Sequence, residues 1–135
     1  MPETASAAEV PRASVRRVVL VVEDEKDLRA AIRDVLRAGG CAVDTAGSVA
    51  EALGHVLGRD YDVVISDIHL TRSDGIELAR LLSRRIRSPR IILMTSDPAP
   101  DLILQGYGAG ASQVLSKPIS LTSLLRAVEE APGLR

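Results

Sequence analysis

Short apolar runs alternate with amphipathic stretches along most of this 135-residue chain. Arg17 to Val22 is a continuous apolar run, the pattern of a strand buried on both faces. Leu28, Ala31, Ile32, Val35 and Leu36 then recur at helical spacing, and Gly39 and Gly40 stop that helix. Cys41 to Ala46 reads as a weaker second strand. Ser48 with Glu51 forms a capping box, and Val49, Leu53, Val56 and Leu57 give the face of a second helix. Tyr61 to Ser66 is a third strand, followed by a polar turn, His69 to Asp74, and a helix over Ile76 to Leu82. Arg90 to Met94 is a fourth strand, Leu102 to Leu104 open a helix, and Ser112 to Leu115 form a fifth strand. Leu121, Leu124, Leu125 and Val128 mark the last helix.

Five strand–helix pairs in succession predict an α/β fold, a doubly wound (βα)5 sandwich around a five-stranded parallel sheet. Its crossovers are expected to be right-handed. Residues 1–15, rich in Ala, Pro, Ser and Glu, read as a mobile arm, 16–131 as one domain and 132–135 as a tail. From the length, no attached output domain of ordinary size is expected.

Composition narrows the function. The chain is 46% apolar but has no Phe and no Trp, so its core is aliphatic and it lacks the aromatic platforms on which nucleic-acid modules stack bases. With 17 basic and 18 acidic residues the net charge is -1, which offers no polyanion groove. Fifteen of the basic residues are Arg; the two lysines are Lys26 and Lys117. The single Cys41 excludes an internal disulfide and reads as a buried hydrophobe, which fits a cytoplasmic protein. No apolar run is long enough to cross a membrane.

Ligands of an open parallel sheet bind beyond the carboxyl ends of its strands. Glu23 and Asp24 follow the first strand, Asp67 the third, Thr95 and Ser96 the fourth, and Ser116, Lys117 and Pro118 the fifth. Three like charges brought together repel, and each resists ionisation. A hard divalent ion and the Lys117 ammonium would relieve that repulsion. Such a site suits phosphoryl transfer, with a carboxylate as nucleophile. Asp24 and Asp74 also precede helix patterns and are equally readable as caps.

These segments, VVLVVEDE, YDVVISD followed by SDG, IILMTSD and GAGASQVLSKP, resemble the receiver domain of two-component response regulators, the CheY-like family, over roughly residues 16–131. The resemblance implies a flavodoxin-like sheet of order 2-1-3-4-5. It implies that Asp67 accepts a phosphoryl group from a sensor histidine kinase or phosphotransfer protein. Glu23, Asp24 and Asp67 would hold Mg²⁺ (or Mn²⁺), with the backbone carbonyl of His69 as the further ligand. Thr95 matches the switch hydroxyl and Lys117 the phosphoryl-pairing lysine. Lys117-Pro118 matches the family's cis peptide, which aims that lysine inward.

The chain departs from the family at two places. Thr71 stands where a proline usually follows the phosphoacceptor by four residues, and Val114 replaces the switch aromatic three residues before the lysine. The segment from 101 to 110 is expected to be a marginal helix, because Pro98, Pro100, Gly106, Gly108 and Gly110 crowd it; Asp97 is its expected cap. Tyr107 is read as filling a gap left by those glycines. The output is then a protein contact with an unknown downstream target, through a monomer or a weak dimer on the 101–131 face. Two alternatives remain: a degenerate receiver acting as a scaffold, and a small aspartyl-phosphate phosphatase. The second lacks its acid two residues after the nucleophile, where His69 stands. A dinucleotide module is disfavoured, because GYGAGA puts Ala111 at the third glycine and lies by the fifth strand.

Overall fold

The computed structural model describes residues 16–131; the expected arm and tail lie outside the described residues. The chain runs β1 (Val18–Val22), α1 (Lys26–Ala38), β2 (Ala42–Ala46), α2 (Val49–Gly58) and β3 (Val63–Asp67). A short hairpin follows, β4 (His69–Leu70) and β5 (Ser73–Asp74), and leads into α3 (Gly75–Ser83). The rest is β6 (Arg90–Thr95), α4 (Pro100–Gly108), β7 (Gln113–Ser116) and α5 (Leu121–Glu129). The main sheet has the order β2-β1-β3-β6-β7, parallel throughout. Counted over the five long strands, this is 2-1-3-4-5, as expected, and the fold is flavodoxin-like. The turn expected over His69 to Asp74 is paired as a two-stranded antiparallel hairpin.

The unbroken apolar strands follow from burial on both faces. Leu20 and Val22 of β1, Val64 of β3, and Ile91 and Leu93 of β6 pack against α2, α3 and α4. The alternate residues, Val19, Val21, Val63, Ile65, Ile92 and Met94, pack against α1 and α5. The period of two thus deals side chains to two separate aliphatic cores. The α1 stripe buries Ile32 and Leu36 as its spacing requires. On α2, the buried face is Ala52 and Val56 with Leu53 beside it, while Leu57 is 84% exposed. One residue beyond Val56 is a rotation of about 100°, which carries Leu57 off the core. Cys41 is buried in the second core, and burial pushes its thiol pKa up.

The helix ends separate caps from site residues. Ser48 caps α2 by accepting from the Glu51 amide at 3.1 Å, and Asp74 caps α3 by accepting from Ile76 at 2.8 Å. Asp24 is not a cap: Glu25 holds that position before α1, without a side-chain bond. Asp97 is not the cap of α4 either. The helix starts one residue after Ala99, with Pro100 in its first turn, and the Asp97 side chain accepts from the amide of Ala99, outside the helix, at 3.2 Å. Gly106 is a packing requirement, since a Cβ there would lie 2.8 Å from Val114 Cγ2 and 3.2 Å from Leu93 Cδ1. Val114, not Tyr107, therefore fills the space under the glycine-rich helix; Tyr107 is 46% exposed.

Two contacts lock the frame and yield tests. The start of α3 is pressed against the end of β3, where the Gly75 amide donates to Ile68 O at 2.8 Å. A Cβ at Gly75 would lie 2.1 Å from the carbonyl oxygen of Asp67. Gly75→Ala should therefore destabilise the protein by about 2–3 kcal/mol in chemical denaturation; no loss of stability would contradict this packing. At the opposite end of the sheet the buried Tyr61 hydroxyl donates to Asp44 Oδ2 at 2.6 Å. That bond, ahead of the nearby Arg59, holds the Asp44 carboxyl below the ordinary aspartate range. A depressed carboxylate pKa contributes stability above the ordinary value, and the contribution fades as pH falls through the folded one. Tyr61→Phe should cost about 1 kcal/mol near neutrality, with the gap to wild type closing below about pH 4. A gap independent of pH in unfolding experiments would contradict this assignment.

Candidate functional site

The parallel register gathers the strand ends. Val22 pairs with Ser66, Asp67 with Met94, and Thr95 with Ser116. Glu23, Asp67, Thr95 and Lys117 therefore emerge at one edge of the sheet. One ligand oxygen each from Glu23, Asp24 and Asp67 falls within 4.8 Å of the others. Glu23 is fully buried and Asp67 nearly so, while Asp24 is half-buried.

Lys117 answers the resulting repulsion. Its ammonium donates to Asp67 Oδ2 at 2.8 Å and to Glu23 Oε1 at 3.1 Å. The Lys117-Pro118 peptide is cis, as expected, and the Lys117 amide donates to Thr95 O at 2.7 Å. Burial works against the cation, but the bonds to Asp67 and Glu23 outweigh it and hold the Lys117 pKa above its usual value. Burial raises the pKa of Glu23 in spite of the Glu25 amide and Lys117, which both favour its anion. The two directions are compatible: Glu23 has lost nearly all its water, and one shared ammonium does not replace it. Asp24 goes the other way. Its pKa is lowered, first by the hydroxyl of Thr71, which donates to Asp24 Oδ2 at 2.5 Å.

Two expected members stand apart from this cluster. Thr95 is buried, but its hydroxyl accepts from the Asp97 amide at 2.9 Å and donates to Asp97 O at 3.1 Å. It makes no hydrogen bond to Asp67 among the described residues. His69 opens β4, with its side chain exposed, and its amide donates to Asp67 Oδ1 at 3.3 Å. Thr71 was not foreseen as a partner of Asp24. The residues are 47 positions apart, and only the hairpin turn brings them together.

The oxygen-only donor set fits a hard cation such as Mg²⁺. The grouped ligand atoms are carboxylate oxygens, no His or Cys joins them among the described residues, and three acids face the single ammonium of Lys117. Chemically, the edge offers a carboxylate with a cation beside it and a hydroxyl on the neighbouring strand.

The model of the response regulator receiver domain family matches residues 19–129. The chain is similar to the transcriptional regulatory protein TcrA of Mycobacterium tuberculosis, 37% identical over 107 residues, covering 78% of this chain and 42% of that protein. It is similar to PdtaR of the same organism, 35% identical over 120 residues, covering 88% of this chain and 58% of PdtaR. The chain thus spans about half the length of these relatives. Among solved structures, the chemotaxis response regulator CheY4 of Vibrio cholerae superposes with a TM-score of 0.78 at 27% identity, covering 84% of this chain and 97% of CheY4. The signal receiver domain of an HD domain-containing protein from Pseudomonas fluorescens gives 0.80 at 29%, covering 86% and 94%. With its sheet order and its match over most of the chain, this protein belongs to the response regulator receiver domain family.

Proposed function

We propose that the chain is a phosphoacceptor switch that takes a phosphoryl group onto Asp67 from a histidine kinase or phosphotransfer protein. The observation that carries this reading is the Lys117 ammonium bridging Asp67 and Glu23, with Asp24 completing the acid cluster. An Asp67 oxygen attacks phosphorus, the P–O bond forms as the P–N bond to the donor histidine breaks, and the bonding pair stays on that nitrogen while the proton already on the other ring nitrogen lets the donor leave as neutral imidazole. Lys117 already touches Asp67 Oδ2 and can follow the charge as it moves onto the phosphoryl oxygens. Thr95 reaches the phosphoryl group only by giving up its bonds to Asp97, which makes the 95–97 turn the moving part. Mg²⁺, held by Glu23, Asp24, Asp67 and the His69 carbonyl, would supply neutralisation of charge on the transferring group. The chain would then catalyse only its own phosphorylation and dephosphorylation.

The signal leaves by protein contact, through the 101–131 face of a monomer or weak dimer, in the cytoplasm. Leu104 and Tyr107, both exposed on α4, support that face. No helix among the described residues is long and apolar enough to cross a membrane. The complete acid set supports a phosphorylated switch over a bare scaffold. The exposed His69, in place of a second acid, weighs against a dedicated phosphatase.

With acetyl phosphate and Mg²⁺, wild type should gain one hydroxylamine-labile phosphate seen by intact mass, and folded Asp67→Asn should gain none. Folded wild type that gains no phosphate from either acetyl phosphate or phosphoramidate would overturn the reading.

A further inference from the structure

Thr71 and Arg72 are the two residues between the last paired positions of the β4–β5 hairpin, Leu70 and Ser73. The Thr71 bond to Asp24 therefore ties the tip of this hairpin to the exit of β1. The proline usual at this position in the family could not make that bond, because it has no hydroxyl. The bond also completes a pattern. Each of the three carboxylates already has a donor from the protein: Glu23 and Asp67 share Lys117, and Asp24 takes Thr71. Asp24 is the least buried of the three, and so the most open to an ion arriving from water.

A carboxylate oxygen that accepts a short hydroxyl bond has a lone pair engaged and part of its charge answered. Mg²⁺ sheds water reluctantly and demands near-octahedral geometry, so it gains least from a ligand already held in another direction. We propose that Thr71 is a positioning residue that latches Asp24 in the metal-free protein and thereby weakens Mg²⁺ binding; this rests on the phosphoacceptor reading above. Metal entry then opens the latch. Occupancy of the acid cluster is coupled to the hairpin of residues 69–74, a link that a proline at this position would lack.

The test titrates the full chain with MgCl₂ by isothermal calorimetry. Thr71→Val keeps the branched shape and removes the hydroxyl; Thr71→Ser keeps the hydroxyl. Thr71→Val should bind Mg²⁺ about tenfold more tightly, the size of one hydrogen bond to a charged group, and Thr71→Ser should track wild type. Amide exchange supplies the second readout. Without metal, residues 69–74 should exchange faster in Thr71→Val than in wild type, and saturating Mg²⁺ should erase the difference. Should Thr71→Val fail to fold, Thr71→Ala provides the same contrast. Mg²⁺ affinity that is unchanged or weaker in the hydroxyl-less variant overturns the latch alone. Absence of Mg²⁺ binding to wild type and variants alike overturns the phosphoacceptor reading, and the latch with it.

Discussion

Three carboxylate oxygens, from Glu23, Asp24 and Asp67, lie within 4.8 Å of one another at one end of a parallel sheet. At such separations, with Glu23 and Asp67 buried, their repulsion and lost hydration penalise the folded chain unless positive charge is supplied. Lys117 supplies it, with one ammonium shared between two acids. The third acid is served by a hydroxyl from the hairpin. The site is thus a place where the fold tolerates electrostatic cost, and that tolerance gives it a use. On the proposed function, a cluster that is under-neutralised in its resting state would favour a cation and the redistribution of charge that accompanies phosphoryl transfer.

The rest of the structure can be read as what this cluster requires. The four strand ends must arrive at one edge, and parallel pairing with helical crossovers delivers them there. Burial of the sheet on both sides, by two aliphatic cores, fixes the register against slippage by one residue. Gly75 allows α3 to start directly against the Asp67 carbonyl, so Asp67 is clamped from behind while its carboxylate faces the cluster.

Much of this was readable in the chain. Period-two and helical spacings separate strands from helices cleanly, because continuous runs such as Arg17 to Val22 have one stable use, a strand covered on both faces. The acids at strand ends, and the rare Lys117 in an arginine-rich chain, marked the site. What escaped depends on contacts between distant segments or on single turns. Asp97 reads as a cap for α4, yet its amide and carbonyl are taken by Thr95 and the helix begins later. Leu57 continues an apolar run but turns outward by one residue's rotation. The Thr71–Asp24 bond had no sequence signal beyond an absent proline, since it depends on how the hairpin folds over β1. The missing aromatic also takes on a physical meaning. Val114 occupies the space beneath Gly106, and the Tyr107 hydroxyl accepts from the Val114 amide at 3.3 Å. Beneath Gly106 the α4–β7 contact is aliphatic and close, with Val114 at the position of the missing ring.

Lys117 balances the acid cluster, and on the proposed function a divalent cation would balance it too. Thermal unfolding of wild type and Lys117→Met, with and without MgCl₂ at constant ionic strength, tests it directly. Lys117→Met removes one partner of a buried charge pair, so its Tm should fall in the absence of Mg²⁺. Mg²⁺ should then raise the Tm of Lys117→Met by more than it raises that of wild type, because the ion takes over neutralisation the lysine no longer provides. A Mg²⁺-dependent rise of equal size in both proteins, or a Lys117→Met variant as stable as wild type without metal, would contradict the account.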